Sequence, residues 1–305
     1  MAQVPATPKT QRAVRRLLAA TAGPRWTFDH CDLQPSEQEA LERRVNARTG
    51  PIAEPAVVFL LPLVSRAHVG NWHDVEARLA DTIASFRGQT SDKWIAVVCG
   101  QDEPSGIGFD SQVRFLPFTQ RVDGNDKWAK LEVLCHHLPQ LGVSAGYAMT
   151  FDADDLLNRR AVEEMVRRRE PNGYLVTRGL VLDARTRKIG LCAPQSLLAP
   201  GRKAFWKMCG SCAAFRFDLS EEPHRDAEYL AAVTAHEHRM FPYLAALAGR
   251  PLSPLRQEAV MYIVNHGENF GVRRGRVGFK TRYVGRFPVT DDAMLARIET
   301  DFPMA

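Results

Sequence analysis

The chain has 305 residues, 45% of them hydrophobic and 25% charged, with a formal net charge of +5, which is an ordinary globular composition. No apolar run approaches the about 20 residues that a membrane-spanning helix needs, and the first residues lack the apolar core of a secretory signal, which predicts a cytoplasmic location. Six cysteines are too few for a disulfide framework in a chain of this size, so we expect buried thiols in a reducing compartment.

Residues 1–52 are predicted to form an N-terminal helical extension that is polar, rich in arginine and interrupted by proline. Two short amphipathic helices are expected there, at residues 11–22 and 36–48, the second with Ser36 as its N-cap. The first helix carries a short apolar stripe between arginines, made of Val14, Leu17, Leu18 and Ala22. Such a stripe predicts either weak peripheral contact with the inner face of an anionic membrane or packing on the rest of the protein.

Residues 53–270 are predicted to form the main domain, in which buried strands alternate with helices. Continuous apolar runs predict strands, and steps of three and four between apolar residues predict helices. The strands are expected at residues 56–64, 94–100, 113–118 and 147–151, and the helices at 72–86, 128–141 and 156–169. This order predicts an α/β fold with a mostly parallel central sheet and helices on both faces.

The pattern changes after Gly173. A hairpin or two short strands are expected at residues 173–190. A further strand is expected at 211–217, then a helical stretch with a break near Pro242, and a last strand within 258–267. Residues 271–305 are predicted to be a basic C-terminal segment.

Three carboxylates follow the strand at 147–151, where it should pass into a helix. Side chains at the carboxyl ends of parallel strands project into the crevice where α/β sheets bind ligands. Asp152 and Asp154 are spaced so that both can reach one divalent cation, and hard oxygen ligands with no nearby cysteine suit Mg²⁺ or Mn²⁺. Asp155 suits an N-cap of the helix at 156–169. The alternative is that all three only cap the helix and shape the turn.

The order of these segments resembles the nucleotide-sugar glycosyltransferases with the GT-A (Rossmann-like) fold, specifically glycosyltransferase family 2 and the rhamnosyltransferase-like sequences near it. The resemblance covers about residues 55–265 and is carried by "VVFLLPLV", "WIAVVCGQDEP" and "MTFDADD". It implies a metal-dependent enzyme that moves a sugar from a nucleotide-diphosphate donor to a glycan or lipid-linked acceptor, with inversion at the anomeric carbon.

The resemblance also implies which residues bind the donor. The turn after the first strand would cradle base and ribose, and its members are Pro62, Val64, Ser65 and Arg66. Asp102 would recognise the edge of the nucleobase, although the chain has Cys99 and Gly100 where the family more often has acidic residues. Lys127 and Lys130 would reach ribose, sugar or phosphate, unless they lie on a solvated helix face. Asp152 would contact the donor as well as the metal.

The general base and further ligands are expected late in the chain. Glu237 occupies the place of the first acid of a family pair and is the candidate base, whereas His238 replaces the second acid. His236 and His238 are alternative bases, since imidazole titrates near neutral pH. By resemblance His266 would complete the metal sphere, unless it is structural. Arg273 and Arg274 would fold over the diphosphate, or else belong to a solvated basic face.

Other interpretations remain open. Cys209 and Cys212 form a C-x-x-C pair, which with His236 and His238 would suit zinc, or alone a redox pair. The departures at Cys99–Gly100 and His238 leave open a non-catalytic carbohydrate- or partner-binding module on a decayed transferase fold. Nucleotidyl transfer matches poorly, because "LVSRAHVGNW" is not a glycine-rich, basic loop. A nucleic-acid partner is not predicted, since no known binding signature is present.

Overall fold

The computed structural model describes residues 3–45, 52–220, 222–266 and 277–303. Within these ranges the helices are α1 (Lys9–Thr21), α2 (Pro24–His30), α3 (Pro35–Val45), α4 (Trp72–Arg87), α5 (Lys127–His137), α6 (Ala161–Arg168), α7 (Pro223–Thr234), α8 (Phe241–Leu247), α9 (Val277–Arg286) and α10 (Asp292–Asp301). The strands are β1 (Ala56–Pro62), β2 (Trp94–Gly100), β3 (Val113–Pro117), β4 (Ala145–Thr150), β5 (Leu156–Leu157), β6 (Gly173–Leu175), β7 (Gly179–Asp183), β8 (Lys188–Cys192), β9 (Ala213–Asp218), β10 (Ser253–Pro254) and β11 (Val260–Val264). Short 3-10 turns lie at Arg66–His68, Leu138–Gln140, Phe205–Lys207 and His238–Met240.

The central sheet has seven strands in the order β10-β6-β9-β4-β1-β2-β3. Every neighbouring pair is parallel except the two that β9 makes, with β4 and with β6. β1 is buried at five consecutive positions, so both faces of the sheet are covered there. The predicted α/β class with a mostly parallel sheet is therefore confirmed.

Three phenylalanines fasten α4 to the sheet. The ring of Phe59 in β1 stacks on that of Phe86 in α4 at a centroid distance of 4.2 Å. Phe151 meets Phe86 edge to face at 5.1 Å. Aromatic contacts of this kind stabilise a core beyond the area that they bury. Because Phe151 directly precedes Asp152, this packing also fixes where the acidic residues leave the sheet.

A second sheet has four strands in the order β5-β11-β7-β8. β7 and β8 pair antiparallel as a hairpin, while β11 runs parallel to β7. The side chains of α10 close one side of this sheet, where Ile298 and Phe302 pack on Leu180 and Met261. α9 packs on β8, with Val284 against Gly190. The C-terminal segment is thereby brought beside the end of β11.

Several local predictions were wrong. Asp155 is not an N-cap, because β5 follows it and α6 begins only at Ala161. The helical break predicted near Pro242, by contrast, lies just before it, at 235–240, and Pro242 sits in the first turn of α8, where its missing N–H is no loss. Ser36 lies inside α3, whose first bonds are accepted by the carbonyl of Gln34. The short helix α2 was not predicted, as seven residues give too little periodicity to detect.

The N-terminal helices pack on the rest of the protein through one side only. Ala40 and Leu41 of α3 belong to the same core as the central sheet, and Val4 pairs with His236 as a parallel bridge. On α1, Val14 and Leu17 remain 54% and 63% exposed, so the predicted apolar stripe is mostly uncovered. Among the described helices none combines the length and the apolar character that a membrane span requires.

Candidate functional site

A cavity of about 330 Å³ lies at the carboxyl ends of β1 and β4. This is the edge where open α/β sheets bind ligands, because strand ends and loops converge there. Many of the residues predicted to act on substrate or metal line it, namely Pro62, Val64, Lys127, Lys130, Asp152, Asp154, Glu237, His238 and His266. The fold thus gathers residues that are 204 positions apart in the chain, from Pro62 to His266.

Three residues that were predicted to bind the donor, Ser65, Arg66 and Asp102, are absent from the described lining of this cavity. Asp102 accepts hydrogen bonds from Ser65 Oγ at 3.0 Å and from the Arg66 backbone N–H at 2.8 Å. The Arg66 guanidinium in turn lies 5.2 Å from the ring of Trp72. Asp102 therefore shapes the loop after β1, and its role in reading a nucleobase stays a prediction. Arg273 and Arg274 lie outside the described residues.

Lys130 holds the same loop from α5. Its Nζ donates to the carbonyl of Leu63 at 2.6 Å and pairs with Asp126 Oδ2 at 2.8 Å. Burial lowers the pKa of Lys130, although Asp126 acts in the opposite direction. The side chain is buried, so the alternative of a solvated helix face is wrong for this lysine. Its contacts make it a support of the cavity wall.

Lys127 forms an ion pair with Asp152 inside the cavity. The distance from Lys127 Nζ to Asp152 Oδ1 is 2.5 Å. Burial disfavours the charged form of both side chains, but the attraction and the hydrogen bond between them have the larger effect. The pKa of Lys127 is therefore raised and that of Asp152 is lowered. The backbone N–H of Asp152 also donates to Ser211 Oγ at 2.8 Å. A fixed positive charge therefore stands next to the carboxylates.

Asp154 and His266 meet across the cavity from two different sheets. Asp154 follows β4 and His266 follows β11, and Asp154 Oδ2 lies 2.9 Å from His266 Nε2. Neighbouring ligands of an octahedral cation with bonds near 2.1 Å stand about 3 Å apart. Arg78 steadies this end of the site by donating to the carbonyl of His266 at 3.0 Å. This spacing is that of a hydrogen bond and is also compatible with two adjacent ligands of one divalent ion. The full predicted set of Asp152, Asp154 and His266 does not form a group of three within ligand distance among the described residues.

A second possible ligand set lies behind the first. One ligand atom each from Asp152, Asp155 and Cys209 fall within 4.8 Å of one another, close enough to hold a metal ion. The expectation that no cysteine is near was wrong, because antiparallel β9 places the turn that precedes it at the carboxyl end of β4. Ser211 Oγ and Cys209 Sγ donate to Asp155 Oδ2 at 2.6 and 3.0 Å. Burial, together with Asp154 and Asp152, raises the pKa of Asp155 well above its usual value.

The C-x-x-C alternatives find no support here. Cys209 and Cys212 are buried free thiols, and burial raises the pKa of both well above the usual value. A reactive redox cysteine needs the opposite shift. Among the described residues, the one group of three or more metal-binding side chains that lie close together contains neither Cys212 nor a histidine.

The candidate bases lie on the loop between α7 and α8. Glu237 lines the cavity, with extended backbone just before the turn His238–Met240. Burial, followed by repulsion from Arg239, lowers the pKa of His238 to about 4. His236 Nε2 lies 2.6 Å from Ser36 Oγ, and this buried contact ties α3 to the loop. All three candidates line the cavity, and the contact with Ser36 gives His236 a structural role, so Glu237 and His238 both remain candidate bases.

Several residues of the cavity were not predicted from the sequence, among them Lys280 and Gln3. Lys280 from α9 contacts the hydroxyl of Tyr262, and its Nζ lies 4.2 Å from the centroid of that ring. Burial lowers the pKa of Lys280, while the nearby acidic groups act to raise it. Gln3, from the N-terminal segment, also lines the cavity. The sequence predicted that the basic C-terminal segment contributes to the site, but it named Arg273 and Arg274, whereas Lys280 of that segment lines the cavity.

Comparison with known proteins finds no protein-family model that matches the chain and no similar curated protein. Mostly parallel α/β sheets serve enzymes and binding proteins of many kinds, so the fold alone assigns no activity. Function is therefore inferred from the chemistry of the cavity.

Proposed function

We propose that this protein is a metal-dependent glycosyltransferase of the GT-A type, which moves a sugar from a nucleotide-diphosphate donor to a glycan or lipid-linked acceptor with inversion. The observation that carries the proposal is one cavity whose lining combines the Asp154–His266 pair, the lysines Lys127 and Lys280, and Glu237. Transfer of a glycosyl group expels a nucleoside diphosphate, whose growing negative charge needs preplaced positive groups. The acceptor hydroxyl needs a base on the other side of the sugar.

The diphosphate side of the cavity supplies those positive groups. Asp154 and His266 would hold Mg²⁺ or Mn²⁺, with Asp152 as a further carboxylate of the same cavity, and the ion would act as a Lewis acid toward the diphosphate when bound. Lys127 and Lys280 add fixed ammonium groups from α5 and α9. Because both lysines are partly buried, their charges are screened less by solvent than charges on the open surface.

The acceptor side is formed by the loop before α8. Glu237 would accept the proton of the acceptor hydroxyl as the oxygen attacks the sugar carbon. Apolar side chains around the site exclude water, which would otherwise compete as acceptor. They include Val69, Val75, Leu131, Met208 and Phe241.

Titration calorimetry with UDP, GDP and dTDP, with and without Mn²⁺, tests the proposal. We expect at least one of the three to bind in a metal-dependent manner. The Asp154→Asn variant should bind it about 10- to 100-fold more weakly, the range typical of a disturbed metal site. Asp92→Asn is the matched control, since Asp92 is exposed and precedes β2 at the opposite edge of the sheet.

Absence of metal-dependent binding for all three nucleotides would contradict the proposal. Slow donor hydrolysis without acceptor, lost in Asp154→Asn, would separate an enzyme from the alternative of a non-catalytic module. Binding with no turnover under any condition would favour that module.

Lys280→Met is expected to weaken binding of the same nucleotide by about 10-fold or more, because it removes a charged hydrogen-bond donor from the cavity. Arg282→Met is the control, as Arg282 lies on the same helix and is exposed. Equal affinities of the two variants in the calorimeter would show that Lys280 does not contact the diphosphate.

A further inference from the structure

We propose that the loop of residues 194–203, together with the outer side of α9, docks on an anionic lipid bilayer. The loop follows β8 and carries Leu197 and Leu198, which are 100% and 99% exposed. Single exposed apolar residues are common, but two adjacent leucines without any cover indicate a surface that another apolar phase covers.

The loop presents these leucines in an ordered turn. The Ala199 N–H donates to the Ser196 carbonyl at 3.1 Å, and the Arg202 N–H donates to the Ala199 carbonyl at 3.1 Å. Gln195 Nε2 closes the base of the turn by donating to the Pro200 carbonyl at 2.7 Å. These three bonds order the turn, which can therefore hold both leucine side chains outward at the level of lipid headgroups.

The outer side of α9 continues this surface. Phe279 is 41% exposed, and Arg282 and Arg286 follow it at steps of three and four, whereas Tyr283 and Val284 are buried on the opposite side. Lys203 Nζ lies 4.2 Å from the centroid of the Phe279 ring. The Arg286 guanidinium lies against Gly201, so loop and helix form one surface.

The charge of this surface selects the partner. The sequence has no aspartate or glutamate from 184 to 217 or from 277 to 290. Within the described ranges, none of its four cations, Arg202, Lys203, Arg282 and Arg286, forms an ion pair with a carboxylate.

Basic side chains near an anionic leaflet are attracted within a Debye length, while apolar side chains enter the boundary between headgroups and acyl chains. A projecting tip also suits a deformable bilayer better than a rigid protein surface, which would need a matching groove.

The docking surface lies next to the cavity. Phe279 points outward from α9, whereas the following residue, Lys280, reaches the cavity. If the proposed function holds, docking brings the cavity close to a bilayer that carries the lipid-linked acceptor. The docking itself does not depend on that function, because it is measured without nucleotide.

Vesicle sedimentation of the full-length protein tests the docking. We expect binding to phosphatidylcholine vesicles that contain phosphatidylglycerol, and little binding to pure phosphatidylcholine. Replacing both leucines (Leu197→Ser with Leu198→Ser) should weaken the apparent affinity by about 10-fold or more, since two apolar side chains no longer leave water. Replacing two cations (Arg282→Gln with Arg286→Gln) should weaken binding and reduce its salt dependence.

Val14→Ser with Leu17→Ser is the matched control, because α1 carries the other exposed apolar pair. Unchanged binding of this control supports docking through the loop and α9. The proposal is overturned if the wild-type protein binds no vesicles of either composition at low salt. It is also overturned if only the α1 control variant loses vesicle binding. A third outcome against the proposal is that the leucines form a dimer interface. Light scattering would then give the mass of a dimer for the wild type and a lower mass for the leucine variant.

Discussion

Replacing Glu237 with glutamine is expected to lower the turnover of donor and acceptor by about 100- to 10,000-fold, the usual contribution of a general base. Glutamine keeps the shape of the side chain, but its amide cannot accept the hydroxyl proton. Binding of the nucleoside diphosphate should change little, because the proposed role of Glu237 is toward the acceptor hydroxyl and not toward the diphosphate. Single-turnover assays with saturating donor would separate the chemical step from binding.

His238→Gln provides the comparison. Since burial lowers the pKa of His238 to about 4, the ring is neutral at pH 7 and is a weaker base than an ordinary histidine. We expect this variant to retain most of the activity. A severe loss in His238→Gln with near-normal turnover in Glu237→Gln would assign the base to His238 instead.

Glu37→Ala is expected to lower the free energy of unfolding by about 3–5 kcal/mol, the range found when one partner of a buried ion pair is removed. The buried Glu37 carboxylate accepts hydrogen bonds from Thr7 Oγ1 at 2.9 Å, Tyr243 Oη at 2.7 Å and the Gln34 N–H at 2.9 Å. Arg15 adds an ion pair at 2.7 Å. Alanine would leave these donors without their acceptor and loosen the N-terminal helices from α8.

This contribution should depend on pH. Burial alone would raise the pKa of Glu37, but the hydrogen bonds from Gln34, Tyr243, Arg15 and Thr7 together lower it. The folded-state pKa is thus below the unfolded value of about 4.3. The stability that Glu37 provides is therefore complete well above that value and is lost as the pH falls through the folded-state pKa.

Urea denaturation at neutral and at acidic pH would measure this contribution. The difference between the wild type and Glu37→Ala should shrink in acid. Gln38→Ala, an exposed position on the same helix, should change stability by less than about 0.5 kcal/mol. A pH-independent difference for Glu37→Ala would mean that its packing matters and its charge does not.

Most of the strands and helices could be predicted from the sequence. Apolar runs predicted the parallel strands, because a strand covered on both faces has no polar side to interrupt the run. The position of Asp152 and Asp154 at the end of β4 followed from the same pattern. Asp155 failed as an N-cap because a two-residue strand and a turn come before α6, and elements this short leave no periodic signal.

By itself, the sequence determined the α/β class, the mostly parallel sheet and the edge at which the acidic residues lie, since these depend on local periodicity and on general rules of chain connection. Only the tertiary structure decided which side chains share the cavity. It turned Lys130 toward the loop after β1, set Cys209 beside Asp155 through antiparallel β9, and brought Lys280 in from a helix beyond residue 276. These placements depend on strand order and packing between distant segments, and such contacts leave no trace in the spacing of residues along the chain.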